Sequence, residues 1–305
     1  MSGTTNGLFD EPASIRCSLE SRKVHEELAG TSPLAAIWVL VEQPGHWGRD
    51  ALTDSLLPTT VADHLRSLAV DPTLKVLLTR HRTRTVRNDQ HERVVWISYS
   101  GSHGSALVTK TFSSVTELAS LVVPETGIAA QEAGWVASHG AMAFICTHSG
   151  RDACCALYGR ALVTQVSDVD EQVWECSHIG GHRFAPTALF APGNYVMGRC
   201  DEHVVREWLD GQRVSPEALR GTSHLPPHQQ AAQAFVLRAH SDLSPQDLFP
   251  APHPNDPSHI YIHATDGRSW RVVLERVATD HNRPESCDGS PSAVEHFTLT
   301  QIEQL

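Results

Sequence analysis

Two short stretches of this chain concentrate side chains that bind metals. The first reads Cys146-Thr147-His148-Ser149-Gly150-Arg151-Asp152-Ala153-Cys154-Cys155, and the second Ser177-His178-Ile179-Gly180-Gly181-His182-Arg183-Phe184. Eight residues separate Cys146 from Cys155, and three separate His178 from His182. Thiolates are soft donors suited to iron–sulfur, zinc or copper(I), and imidazole suits zinc, copper and iron, so the four fit more than one kind of centre. A His pair four apart on a helix is the zinc-protease arrangement, but that needs a Glu beside the first His. Here Gly180 and Gly181 intervene, and each would cost ~1 kcal/mol inside a helix. The pair therefore reads as a loop, in which glycine lets backbone approach a bulky inorganic core and turn N–H groups toward it.

Replacing two thiolates on one iron by neutral imidazoles raises a reduction potential. Rieske centres span about −150 to +300 mV, against about −400 mV for plant-type ferredoxins. A second ring nitrogen facing solvent would let electron uptake couple to proton uptake. Rieske loops alternate Cys and His, however, whereas here both Cys precede both His. A structural Cys2His2 zinc site satisfies the same donors. A thiol oxidoreductase acting through Cys146 or the vicinal Cys154 and Cys155 is a third class, although no Cys-x-x-Cys pair is present. Because Cys154 adjoins Cys155, either sulfur is a candidate. Cys17, Cys154, Cys176 and Cys200 otherwise read as small buried or semi-exposed residues. His148 reads as a surface-loop residue, Arg151 and Asp152 as an ion pair fixing the loop, and Trp174 as core beside the site. Arg183 reads either as a donor to the site or as a docking residue.

Elements that could position these loops follow from hydrophobic patterning. Residues 34–41 form a continuous apolar run of buried-strand type. A helix is expected over 59–69, strands over 74–79, 93–100 and 105–111, and a helix over 115–122. A second pass of the same order gives a strand over 141–145, a helix over 153–166, and strands over 172–176, 187–191 and 195–199. The last two form a hairpin around Pro192-Gly193-Asn194, and a helix capped by Asp201 follows to 209. Both passes read β-α-β-β-β-α, with Gly48-Arg49-Asp50-Ala51 in the first and Gly150-Arg151-Asp152-Ala153 in the second. His81 falls at nearly the offset of His182. The expected fold class is α/β (α+β), with two tandem thioredoxin-like units over 31–125 and 126–214, only the second keeping a full ligand set. A polar segment, 1–30, precedes them. A small α+β region, 215–305, follows, with a helix from Pro226-Pro227 to 239, a Pro-rich loop over 244–258, and a hairpin around Asp266-Gly267.

Composition excludes several classes. The net charge of −11 argues against nucleic-acid binding, which needs clustered Lys and Arg. The best basic candidate, Arg80-His81-Arg82-Thr83-Arg84 continuing to Arg87, lacks interleaved aromatics and reads as a solvated loop or docking patch. The longest apolar run is far below the ~20 residues of a spanning helix. Seven scattered cysteines do not form a secreted disulfide framework, so a reducing, cytoplasmic setting is expected. The nineteen histidines lie mostly in polar or Pro-rich surroundings.

The two loops together resemble the sucrase/ferredoxin-like family of thioredoxin-like ferredoxins. Gly30-Thr31-Ser32-Pro33 and Val41-Glu42-Gln43-Pro44-Gly45-His46-Trp47-Gly48 resemble its bacterial members, and Arg283-Pro284-Glu285-Ser286-Cys287 resembles their C-terminal signature, so the likeness covers most of the chain. It implies a 2Fe–2S cluster with Cys146 and Cys155 on one iron and His178 and His182 on the other, Cys154 being the alternative to Cys155. It implies electron transfer, or reduction of a small molecule or metal chelate through the cluster. Nothing matches a paired-carboxylate glycosidase. The acidic chain adds the expectation of a redox partner with a basic face, such as a flavin-containing reductase.

Overall fold

The computed structural model describes residues 16–82, 92–101, 104–254, 256–279 and 281–305. In chain order the elements are α1 (Cys17–Lys23), β1 (Ile37–Glu42), α2 (Ala51–Asp54), α3 (Thr59–Leu68), β2 (Leu74–Arg80), β3 (Arg93–Tyr99), β4 (Ala106–Phe112), α4 (Gly127–Glu132), β5 (Val136–Ala137) and β6 (Met142–Cys146). There follow α5 (Ala153–Gln165), β7 (Val173–Cys176), β8 (Ala188–Ala191), β9 (Tyr195–Met197), α6 (Glu202–Gly211), β10 (Leu219–Thr222) and α7 (Pro227–Ala239). The C-terminal strands are β11 (Leu248–His253), β12 (Asp256–Ala264), β13 (Ser269–Ala278), β14 (Arg283–Pro284), β15 (Pro291–Ser292) and β16 (Glu295–Gln304).

Ten strands form one mixed sheet in the order β10-β9-β8-β6-β7-β2-β1-β3-β4-β5. The apolar run of β1 is buried because β1 is flanked on both sides, parallel by β2 and antiparallel by β3. β6 is placed in the same way, parallel to β7 and antiparallel to β8. The run β2-β1-β3-β4 thus repeats as β7-β6-β8-β9, strand sense included. The two runs meet where β2 pairs antiparallel with β7, through Thr79 opposite Cys176 and Arg80 opposite Glu175.

Caps set the helix starts. Asp152 accepts from the Cys154 N–H at α5, and Asp201 from the Val204 N–H at α6. One face of α5 is buried, through Cys154, Cys155, Gly159, Leu162 and Val163. Gly159 lets this helix lie on the end of β6, since a Cβ there would come 2.0 Å from the Cys146 carbonyl oxygen.

A second, four-stranded antiparallel sheet has the order β11-β12-β13-β16. Helix α7 lies against β10 of the first sheet and against all four strands of the second, and Phe190, Trp208, Val236, Ile260 and Trp270 share one core. Its glutamines are internal rather than solvated: Gln233 donates to the Pro245 carbonyl and accepts from Thr222, and Gln230 donates to the Leu225 carbonyl.

Several expectations need correction. The Pro-rich stretch 244–258 contains strand β11. It is an edge strand, and Pro250 and Pro252 point their nitrogens to the same, unpaired side, where no donor is required. The helix expected over 115–122 is a single stretch of 3-10 turns, Val115–Ser120. Strand β16 was not anticipated, because its apolar alternation is confined to Phe297 and Leu299 and most of its residues are exposed. Of the basic stretch, Thr83, Arg84 and Arg87 lie outside the described residues. No helix among the described residues is long and apolar enough to cross a membrane.

Candidate metal centre

Strands β6 and β7 run parallel side by side and end level, Cys146 opposite Cys176. Loops leaving the carboxyl ends of adjacent parallel strands share one crevice. That topology brings the Cys loop and the His loop together. Cys146 is the last residue of β6, Cys155 lies in the first turn of α5, and both are fully buried. His178 and His182 follow β7 and are only partly buried.

One donor atom each from Cys146, Cys155 and His178 lie within 4.8 Å of one another. Cys155 Sγ is 3.9 Å from His178 Nδ1. His182 stands outside this trio and reaches it through His178, with its Nδ1 3.3 Å from His178 Nε2. The structure therefore gathers all four predicted residues in one place, thiols inside and imidazoles toward the surface.

The Cys155 thiol donates to Cys146, and His178 and the His148 N–H add to it, so the Cys146 sulfur is held well below the usual thiol range despite burial. The same contact, together with burial, pushes Cys155 up. Burial lowers His182 against the pull of the Asp152 charge, with His178 and Arg183 acting in the same direction as burial, which favours the neutral imidazole that metal binding would need.

The His loop is not helical. Gly180 and Gly181 have φ of 102° and 71°, a region that favours glycine. A Cβ on Gly181 would also fall 2.5 Å from Arg220 Nη2. Buried Arg220 underlies the loop, donating from Nη1 to the Gly180 carbonyl at 2.8 Å and from Nε to Thr31 Oγ1 at 3.1 Å. Thr31 belongs to the early Gly30-Thr31-Ser32-Pro33 motif, so that motif braces the His loop from below.

The two Gly-Arg-Asp-Ala loops face each other. Asp50 accepts from the Leu52 N–H at the start of α2, as Asp152 does from Cys154 at the start of α5. His148 Nε2 is 2.9 Å from the Gly48 carbonyl oxygen. Aligning Gly48 with Gly150 sets Pro44 against Cys146 and Thr53 against Cys155, residues that offer no soft donor. His81, the first-half counterpart suggested for His182, packs edge-on against Trp174 at 4.9 Å.

Other readings change. His148 is buried rather than on the surface, because its ring seals the gap between the two loops. Asp152 does not pair with Arg151; its oxygens face Cys154, Cys287 and His182. Arg183 donates to Glu26 at 2.8 Å, and Glu26 is also gripped by fully buried Arg283. Trp174 lies, as expected, in the core beside Cys146 and Cys155. Cys154 turns away from Cys155 toward Cys17 and Cys287. Glu26, Arg220, Cys17 and Cys287 were not singled out as site residues. The one available signal was that Cys287 and Arg283 share a short motif with the site's own residue types.

A mixed α/β chain with buried Cys and partly buried His donors beyond the ends of two parallel strands is of a kind that can hold a metal. The family model described as Sucrase/ferredoxin-like matches residues 28–221, and the chain belongs to that family. Neither a curated protein nor a solved structure matches it.

Proposed function

We propose that this chain is a one-electron carrier whose 2Fe–2S cluster is held by Cys146, Cys155, His178 and His182. The observation that carries the reading is the convergence of two buried sulfurs and two half-buried imidazoles at the ends of β6 and β7. The donor set fits the group, since thiolate and imidazole both bind iron. When bound, such a cluster supplies reversible one-electron transfer at a potential raised by its two neutral imidazoles.

The chain's own residues supply the rest. The His148 N–H and the His178 ring favour the ionised Cys146 sulfur. Arg220 and Thr31 fix the loop that carries both imidazoles. The imidazole side is the solvent-facing side of the site, which supports electron exchange there and proton uptake coupled to it.

We read the repeated strand runs as tandem thioredoxin-like units over 31–125 and 126–214, with 215–305 as an added α+β region. The matching strand order and the facing Gly-Arg-Asp-Ala loops support this. The partner is a redox protein with a basic face, a flavin-containing reductase, in keeping with the charge of −11. Seven free cysteines accord with a reducing, cytoplasmic setting.

The test is the visible absorption and EPR spectrum of anaerobically purified protein, with iron and sulfide counted. A brown protein with a Rieske-like reduced signal is expected. A colourless protein with zinc on these four residues ends the reading.

A further inference from the structure

A second group of donors lies beyond Asp152, on the far side of the α5 start. Cys17 opens α1, Cys154 is in the first turn of α5, and Cys287 follows β14. Cys17 Sγ is 3.7 Å from both Cys154 Sγ and Cys287 Sγ, and Cys154 Sγ is 3.3 Å from Cys287 Sγ. Asp152 Oδ1 lies 3.7 Å from Cys17 Sγ and 3.3 Å from Cys287 Sγ. Cys17 and Cys154 are fully buried and Asp152 nearly so. All four donor atoms lie within 4.8 Å of one another.

These separations have a simple geometric meaning. A tetrahedron built on metal–sulfur bonds of ~2.3 Å has sulfur–sulfur edges of about 3.8 Å, and sulfur–oxygen edges of about 3.6 Å where the oxygen bond is ~2.1 Å. The sulfur–sulfur edges are 3.7, 3.7 and 3.3 Å and the two sulfur–oxygen edges 3.7 and 3.3 Å, so each lies within about 0.5 Å of its tetrahedral value. Disulfide bonding would need sulfurs about 2.0 Å apart, and all three cysteines are free. Asp152 is held as an acceptor by the Cys154 and Cys287 N–H groups, so its oxygen stays fixed among three thiols that have no disulfide between them.

We propose that Cys17, Cys154, Cys287 and Asp152 form a closed, structural zinc site, separate from the Cys146/Cys155/His178/His182 centre. Four protein donors of soft and carboxylate type in tetrahedral spacing suit zinc, and leave no open position for substrate. The site ties α1 and the segment after β14 to the first turn of α5. Cys17 and Cys287 both lie outside the family-matched residues 28–221, so the staple is built from the flanks of the matched region. Asp152 joins the two centres, its Oδ1 facing the sulfurs and its Oδ2 lying 3.8 Å from His182 Nε2. A carboxylate behind a ligating His fixes the ring's orientation.

The experiment is metal analysis of the whole protein purified anaerobically, joined to zinc X-ray absorption. About one zinc per chain is expected, with a first shell of three sulfurs and one oxygen. Cys17→Ser and Cys287→Ser are each expected to lower bound zinc at least tenfold while iron and the visible spectrum stay as in the parent protein. Absence of zinc overturns the proposal, as does a shell of two sulfurs and two imidazoles. So does zinc retained by both variants, or a Cys154–Cys287 disulfide found by mass spectrometry. The absorption measurement needs no variant and decides the matter should a serine impair folding. Zinc in this shell without iron or sulfide would end the electron-carrier reading and leave this one standing.

Discussion

Gly150 lies so close to Gly48 that a Cβ built on Gly150 would come 1.7 Å from the Gly48 carbonyl oxygen. The contact joins the two Gly-Arg-Asp-Ala loops, and the opposing atoms are backbone, so no side-chain rotation can relieve a clash. Gly150→Ala is expected to destabilise the protein by about 3 kcal/mol and to reduce iron bound per chain. Thermal unfolding with an iron count checks this; a variant as stable and as loaded as its parent would mean the loops do not meet.

Neighbouring cysteines should behave oppositely. Cys155→Ser is expected to abolish the visible chromophore, because its sulfur sits with Cys146 and His178. Cys154→Ser should keep the chromophore, since its sulfur faces Cys17 and Cys287. Absorption spectra of the two purified variants decide it, and a bleached Cys154→Ser protein would reverse the assignment.

Substituting an imidazole by a thiolate adds negative charge at the iron. His178→Cys or His182→Cys should retain a cluster and lower its potential by on the order of 100 mV or more. Redox titration followed by EPR measures this. An unchanged potential would remove the imidazoles from the ligand set.

Glu26 is buried with Arg183 and Arg283 around it. Burial opposes its ionisation, but donation from Arg283 and the charge of Arg183 prevail, and its carboxyl is held below the ordinary 4.5. A carboxyl lowered on folding stabilises the native state above the unfolded value and loses that contribution as pH falls through the folded one. Stability should therefore decline below about pH 4.5, and Glu26→Gln should flatten that decline. The variant is expected to lose about 3–5 kcal/mol at neutral pH, because the buried Arg283 guanidinium and the partly buried Arg183 lose the carboxylate between them. Urea unfolding at several pH values tests both; a parallel acid profile in the variant would assign the decline to other carboxyls.

Docking of a basic reductase on an acidic chain should weaken with ionic strength, since exposed charges are screened over ~10 Å at 0.1 M salt. Electron-exchange rates are expected to fall several-fold between 0.05 and 0.5 M salt, an order-of-magnitude figure of about 3–10. Stopped-flow kinetics supply the test, and a salt-independent rate would rule out charge-guided docking.

Local signals were legible in the sequence. Asp201 announced a helix start, Pro192-Gly193-Asn194 a hairpin, and Gly180-Gly181 a non-helical His loop, because each effect acts within a few residues. The choice between Cys154 and Cys155 was not legible, since adjacent residues on a helix diverge by about 100° and only the packed partners show which way each sulfur points. The burial of His148 depends on the Gly48 carbonyl, supplied by the other half of the sheet. Strand β11 was hidden by its prolines, which read as a loop until the open edge beside them is known.

The contact between Cys17 and Cys287 closes a span of 270 residues. Contacts so distant along the chain are late events in folding, because their closure entropy is met only after nearer pairings are in place. During synthesis from the N-terminus, Cys146 to His182 can come together long before Cys287 has left the ribosome. The molecule therefore has a built-in order of completion. The four residues of the candidate centre can gather first, and Cys17 and Cys287 meet beside them last.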